Sequence, residues 1–295
     1  MNPREKGFLL LTGYLGNPDR RPLTVAQFRE LTKRARQMEK PLKDRDLTRE
    51  DLVKIGCQSP LAERIINLLS EEEELNLYLQ KGKKRQCVPI TRLDEQYPSG
   101  IRNGLALEAP ACIWAKGDLE ILQKPMIALV GSRDLYPQNL AFAEEVGKQA
   151  ALQGYTLVSG NARGADQAAQ NSCLAHGGNV ISIVADRLDD KLPQGGVLYL
   201  SDEGFDLPFT SIRALSRNRL IHTLAEKTFV AQCSLEKGGT WSGTTQNLRY
   251  GWSDVFCFRD GSDAAEELQQ RGAVAVSLEE LCDIPSLQSN LLELF

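Results

Sequence analysis

The chain has 295 residues, 42% hydrophobic and 25% charged, with a net charge of −4. That is the balance of a soluble globular protein with one large domain and a smaller one, and not that of a general nucleic-acid coat protein. No apolar run approaches the roughly 20 residues that span a bilayer, so no membrane is expected as a partner. The basic start at Met1–Lys6, with its short apolar run, lacks the h-region and cleavage site of a signal peptide.

Charge is unevenly spread. Residues 1–85 carry 18 Lys/Arg against 13 Asp/Glu, a balance of +5, and residues 86–295 carry 17 against 26, a balance of −9. A basic module on an acidic main domain is the expectation. An acidic domain holds a polyanion only through a local cluster of cations. Seven scattered cysteines without a CxxC pair, and only His176 and His222, point to reduced, buried thiols in a cytoplasm and to no metal site.

Residues 1–85 form the first expected domain, helical throughout. Val25, Phe28, Leu31 and Ala35 fall at helical spacing, predicting a helix over Val25–Met38 with Thr24 as N-cap. Thr48 to Asp51 fits a capping box with Asp in place of Glu. Leu47–Leu69 predicts helix, Gly56 turn, helix: either a packed pair or, in a SAM/helix-hairpin-helix-like module, a turn whose N–H groups meet a DNA phosphate. Glu71–Glu74 and Lys81–Arg85 fit solvated surface. Short strands follow at Cys87–Ile90 and Cys112–Lys116, with a turn at Tyr97-Pro98.

From Met126 the pattern alternates between strand and helix. Met126–Val130 is a continuous apolar run, as in a strand buried on both faces. A helix over Asn139–Gln153, a strand at Tyr155–Val158, a helix over Ala165–His176 and strands at Val180–Val184 and Val197–Leu200 follow. Then come a helix over Arg219–Glu226, a strand at Thr228–Gln232, a helix over Thr244–Tyr250 and a strand at Val255–Phe258. Residues 263–282 add a closing helix and a strand at Ala273–Val276. Such alternation predicts an α/β domain over 86–284 with a Rossmann-like parallel sheet, and a tail over 285–295.

Ligands of such sheets bind beyond the carboxyl ends of the strands, where four segments arrive. Gly131-Ser132-Arg133 offers backbone N–H groups, a hydroxyl and a guanidinium. Ser159 to Asp166 carries Gly160, Arg163 and Gly164. Asp166 there either complements the helix dipole or accepts from a sugar or base edge. Arg217-Asn218-Arg219, preceded by Arg213, is the densest cationic cluster of this domain and is expected to open a helix. Gly238 to Thr245, with Gly239, Thr240, Ser242, Gly243 and Thr244, is a fourth anion nest, in which Trp241 either stacks on a base or packs. Four such turns on one sheet are fairly specific for a phosphate-bearing ligand. There is no GxxxxGK[ST] and no complete GxGxxG with its acid, which argues against P-loop and ordinary dinucleotide chemistry. No Ser-His-Asp or Cys-His arrangement is supported, so no catalytic residue and no cofactor is expected.

Together these segments resemble the DNA-processing protein A family (DprA/Smf), whose pattern runs GSR, S-G-x-A-x-G-x-D, R-N-R-x-I and a Gly/Ser/Thr turn. The lead-in at Tyr97-Pro98 and Pro110–Gly117 is also similar. Where the family usually has a histidine after its second loop this chain has Gln170, so it resembles a divergent member. The resemblance implies a homodimeric, non-enzymatic protein that binds single-stranded DNA and helps load the RecA recombinase during transformation. It also implies that Arg133, Arg163, Arg217 and Arg219 contact phosphates. A Rossmann-like sensor of a small nucleotide is the alternative. A glycosidic-bond hydrolase is disfavoured because Gln246 stands where its acid is expected.

Overall fold

The structure, a computed structural model, describes residues 1–36 and 47–289. Gln37 and Met38, the end of the helix expected over Val25–Met38, and residues 290–295 of the expected tail lie outside the described residues. Five helices come first: α1 (Pro3–Thr12), α2 (Val25–Ala35), α3 (Arg49–Lys54), α4 (Ser59–Ser70) and α5 (Glu72–Lys84). The two expected caps are present. Thr24 accepts from the Gln27 N–H and Thr48 from the Asp51 N–H, each within a reciprocal capping box. Gly56, at φ +86°, makes the turn between α3 and α4, and its carbonyl accepts from the Arg34 guanidinium. The run Phe8–Leu11 is the buried face of α1.

The α/β body then runs β1 (Val88–Thr91), α6 (Ser99–Gly104), β2 (Cys112–Lys116), β3 (Met126–Val130), α7 (Pro137–Leu152), β4 (Thr156–Ser159), α8 (Ala165–Ala175), β5 (Asn179–Ile183) and β6 (Val197–Asp202). It closes with α9 (Ser211–Leu224), β7 (Lys227–Val230), α10 (Gly238–Tyr250), β8 (Asp254–Phe258), α11 (Asp263–Gln270) and β9 (Val274–Val276). One nine-stranded sheet has the order β1-β2-β6-β5-β4-β3-β7-β8-β9. The strands from β6 to β9 are mutually parallel, and β2 is antiparallel to both β1 and β6.

Alternate strand side chains feed two apolar layers. Ala128 and Val130 face Leu220 and Ile221 of α9, Trp241 of α10 and Leu268 of α11. Ile127 and Leu129 face Phe142 and Val146 of α7 and Ala169 and Cys173 of α8. The helices α1 and α5 join the sheet edge through a third cluster. In it Tyr78 stacks on Phe205 at 4.6 Å and meets Trp114 edge-on at 5.2 Å. Asp206 ties the same corner, accepting from the Tyr78 hydroxyl and pairing with Lys81. The cysteines among the described residues are all free thiols, five of them buried.

Two helices begin well before the expected positions. The helix expected from Arg219 begins at Ser211, and the one expected from Thr244 begins at Gly238. In α9 the cause is inverted polarity. Arg213 and Arg217 point inward while Ile212 is 80% and Leu215 52% exposed, so the apolar periodicity that marks an amphipathic helix is missing. In α10 two glycines occupy the first turn, where propensity disfavours helix by about 1 kcal/mol each relative to alanine. Close packing on α9 overrides that preference.

The tightest helix contact lies between α7 and α8, where Gly147 rests on the α8 backbone and a methyl group would overlap the Ala169 carbonyl. Alanine is the better helix former, but overpacking here outweighs that. Gly147→Ala is expected to destabilise the fold by about 1–3 kcal/mol, read as a lower urea midpoint; a higher midpoint would show that the helices are not in such contact.

Candidate nucleic-acid interface

The sheet order reverses at β3. Connections lead to β4, β5 and β6 on one side and to β7, β8 and β9 on the other, so a crevice opens at the carboxyl end of β3. A cleft of about 580 Å³ occupies it, walled by the β3 loop, the β4 loop, the exposed side of α9, the β7 loop and the start of α10. Of the sixteen residues singled out from the sequence, Gly131, Ser132, Arg133, Asp166, Arg217, Asn218, Gly239 and Thr240 line it. Ser159, Gly160, Arg163, Gly164, Arg219, Ser242, Gly243 and Thr244 do not, and each has another position in the fold.

The β3 and β7 loops are stitched together by Gln232. Its carbonyl accepts both the N–H (2.9 Å) and the hydroxyl (3.2 Å) of Ser132, its Oε1 accepts from the Tyr136 N–H, and its Nε2 donates to the Asp134 carbonyl. Ser132 therefore spends both donors on shaping the loop. Gly164, at φ +89°, lets the β4 loop cross against the carbonyls of Ser132 and Arg133, and a side chain there would overlap them. Ser159 is buried and accepts from Gln170.

The arginines separate into two kinds. Arg213 and Arg217, four apart on α9, share its inward face. Arg213 donates to the carbonyls of Ala185, Leu207 and Pro208 and to the Ser201 hydroxyl. Arg217 donates to the Ile183 carbonyl at 2.8 Å and rests on Gly160, where any side chain would overlap its guanidinium. Beside it Asp166 is buried, accepting the Ala162 N–H at 3.0 Å and the Gly160 N–H. Burial raises the Asp166 pKa and lowers that of Arg217, and each charge partly restores the other. Arg219, two positions on and so about 200° around the helix, points away from the cleft and pairs with Glu108 at 2.7 Å. Arg163 makes an exposed 2.7 Å pair with Asp134, a kind of contact worth at most about 1 kcal/mol. Arg133 and Lys237 are exposed on the cleft rim and have no ion pair among the described residues.

The start of α10 completes the wall. Its N-cap, Lys237, makes no side-chain capping bond, so the first N–H groups of the helix face the cleft together with the positive end of its dipole. The glycines of this segment are spacers more than nest formers. Gly239 and Gly243 allow Asn218 and His222 of α9 to approach, Thr244 is buried and Trp241 packs in the core under Arg271. Phe209 and Leu215 form an exposed apolar lip on the same cleft, and His222 lies in its floor. Of the cleft residues that the motifs did not flag, only Lys237 had a visible signal, a cation directly before a glycine pair.

The pattern of the DNA recombination-mediator protein A family matches residues 89–284, more than half of the chain. The chain belongs to this family. It is 29% identical over 252 residues to the DNA processing protein DprA of Streptococcus pneumoniae, covering 79% of this chain and 85% of that protein. It is 27% identical to protein Smf of Escherichia coli, covering 77% of this chain and 63% of that one. The X-ray structure of DprA from S. pneumoniae superimposes with a TM-score of 0.72 at 26% identity, over 98% of this chain and 99% of that one. DNA processing protein A from Helicobacter pylori shares the fold at TM-score 0.58 and 24% identity, over 67% of this chain and 94% of that one. Among the described residues no helix is long and apolar enough to cross a membrane.

Two buried groups give the stability of the fold a measurable pH dependence. Burial, and then the Glu203 carboxylate, pushes Asp202 at the end of β6 up to about 6. The folded chain thus keeps a proton that the unfolded chain has lost, and this contribution to stability falls as pH rises from the ordinary carboxylate range to about 6. Burial pushes His222 down to about 3. Here the unfolded chain takes the proton first, and stability is lost as pH falls from the ordinary imidazole value towards 3. The slopes oppose each other. Asp202→Asn removes the first, so relative to the parent it is expected to gain about 1–3 kcal/mol between about pH 4.5 and pH 6.5. Urea midpoints at the two pH values test this; a constant difference would mean that Asp202 ionises like an exposed carboxylate.

Proposed function

We propose that the protein is a non-catalytic mediator of DNA recombination that binds single-stranded DNA in the cleft between the β3 and β7 loops. The observation that carries this reading is the meeting of unpaired rim cations, Arg133 and Lys237, with the uncapped N-terminus of α10. Exposed cations and helix N–H groups are what a phosphodiester backbone requires. The apolar lip of Phe209 and Leu215 suits the bases that a single strand leaves unpaired. The H. pylori protein of this fold is described with a single-stranded DNA binding mode. Arg163 joins the rim by exchanging Asp134 for phosphate, while Arg217 and Asp166 hold the shape of the site. Homodimerisation, delivery of the strand to the RecA recombinase, and a separate helical module over 1–85 belong to the same reading and rest on the family resemblance.

Binding is favoured over bond cleavage because Asp166 is committed to backbone N–H groups and to Arg217. Gln246 lies outside the cleft, in another depression with Arg249 and Arg271. A small-nucleotide sensor is the second reading, favoured by a volume in the range of small-ligand sites.

Fluorescence anisotropy with oligo-dT tests both. Affinity is expected to rise with length, and Arg133→Ala with Lys237→Ala to weaken binding and flatten the salt dependence by about 0.7 for each phosphate no longer neutralised. Arg219→Ala should stay within about twofold of the parent. Unchanged affinity and slope in the double variant would remove the site from this cleft, and saturation by a mononucleotide would favour the sensor.

A further inference from the structure

Resting on that reading, we infer that the floor of the cleft takes the edge of a nucleobase, with the Nε2–H of His222 as the donor that meets a carbonyl oxygen or ring nitrogen of the base. The hydrogen-bond network under the cleft fixes the tautomer. Asn247 Oδ1 accepts the Ser253 N–H at 2.9 Å, so its amide nitrogen faces the other way, donating to Ser253 Oγ and reaching His222 Nδ1 at 3.3 Å. A nitrogen facing a donor is the acceptor of the ring, and the proton therefore sits on Nε2. Thr228 stands on the same Nδ1 side at 3.3 Å and is joined to Ser253 at 2.7 Å.

Nε2 is left over. Among the described residues it has no hydrogen-bond partner. It lies on the side of Asn218 and Gly243, where a β-carbon added to Gly243 would come within 3.1 Å of it. The glycine thus leaves this nitrogen uncovered by side chain. Nε2 itself is not sealed off from solvent although the residue is buried, so its one donor stays open to an acceptor in the cleft. Here the ring shares the lining of the cleft with Val130 and Ile221, and Leu215 lies about two turns away along α9. Apolar walls and a neutral donor suit a flat base and not a phosphate, whose counter-charges stand on the rim at Arg133 and Lys237. The low proton affinity of the ring keeps it neutral at physiological pH, so its preference is for a neutral acceptor.

The chain has only two histidines, which makes the test direct. The full chain, labelled with ¹⁵N-histidine, is titrated with an oligo-dT and with an abasic oligomer of equal length, while anisotropy reports binding of each. The inference expects an Nε2–H tautomer at His222 in the free protein, a changed Nε2–H resonance with oligo-dT and no change with bound abasic oligomer. It also expects at least a tenfold weaker abasic complex, with that ratio falling towards one in His222→Phe. An unchanged His222 signal in a bound oligo-dT complex, or the same change with the abasic strand, overturns the base contact while leaving DNA binding in place. Failure of both oligomers to bind overturns the proposed function and this inference with it. The spectroscopic arm needs no variant, so it decides the matter even if His222→Phe does not fold.

Discussion

The Arg217 guanidinium occupies a space bounded by Gly160, the Ile183 carbonyl and the Asp166 carboxylate. Taking a charge out of water is tolerated only where opposite charge and hydrogen-bond acceptors replace the solvent. This chain supplies both from different strands: Ile183 ends β5, and Asp166 starts the helix that follows β4. One side chain from α9 therefore fixes how two strand-end loops sit relative to that helix. Asp166 in turn holds the N–H groups of Gly160 and Ala162, so the β4 loop is bonded from within and cannot spread into the cleft. Glycine at 160 is a consequence of the guanidinium above it.

This arrangement divides the polar groups between building and binding. Ser132 and Gln232 hold the β3 and β7 loops in register, and Thr240 closes the wall by donating to the Gly131 carbonyl. With those groups engaged, the free donors on the rim are the exposed guanidinium of Arg133, the ammonium of Lys237 and the first N–H groups of α10. A preorganised rim of this kind loses little conformational entropy when a ligand binds.

The parallel strands were legible because both of their faces are buried. Met126–Val130 has the expected limits, as does the antiparallel Cys112–Lys116, and the other strands agree to within two residues. Capping chemistry was legible at Thr24 and Thr48 because it is local. The starts of α9 and α10 were not, since each depends on partners distant in sequence. Arg213 and Arg217 look like exposed cations until the carbonyls that receive them are known, and Gly239 and Gly243 look like a loop until Asn218 and His222 are seen against them. The motifs thus led to the strand ends, where the cleft opens, but residue type alone could not separate the arginine that builds the wall from the arginine that faces solvent.

The electrostatics of the cleft limit what phosphate contacts alone can supply. The segment 86–295 carries a net −9, and long-range attraction of DNA to it is weak or repulsive at low salt. Few unpaired cations stand on the rim, so few counterions are released and the ionic part of the affinity is correspondingly small. Tight binding of a single strand at such a site requires a non-ionic contribution, from bases against the apolar lip and floor, from several sites acting on one strand, or from both. Linked sites multiply affinity without new contacts, which is how a locally modest cleft on an acidic domain can serve a long polyanion. In the proposed reading, the uncovered Nε2 of His222 and the exposed faces of Phe209 and Leu215 would provide the first of these contributions within a single chain.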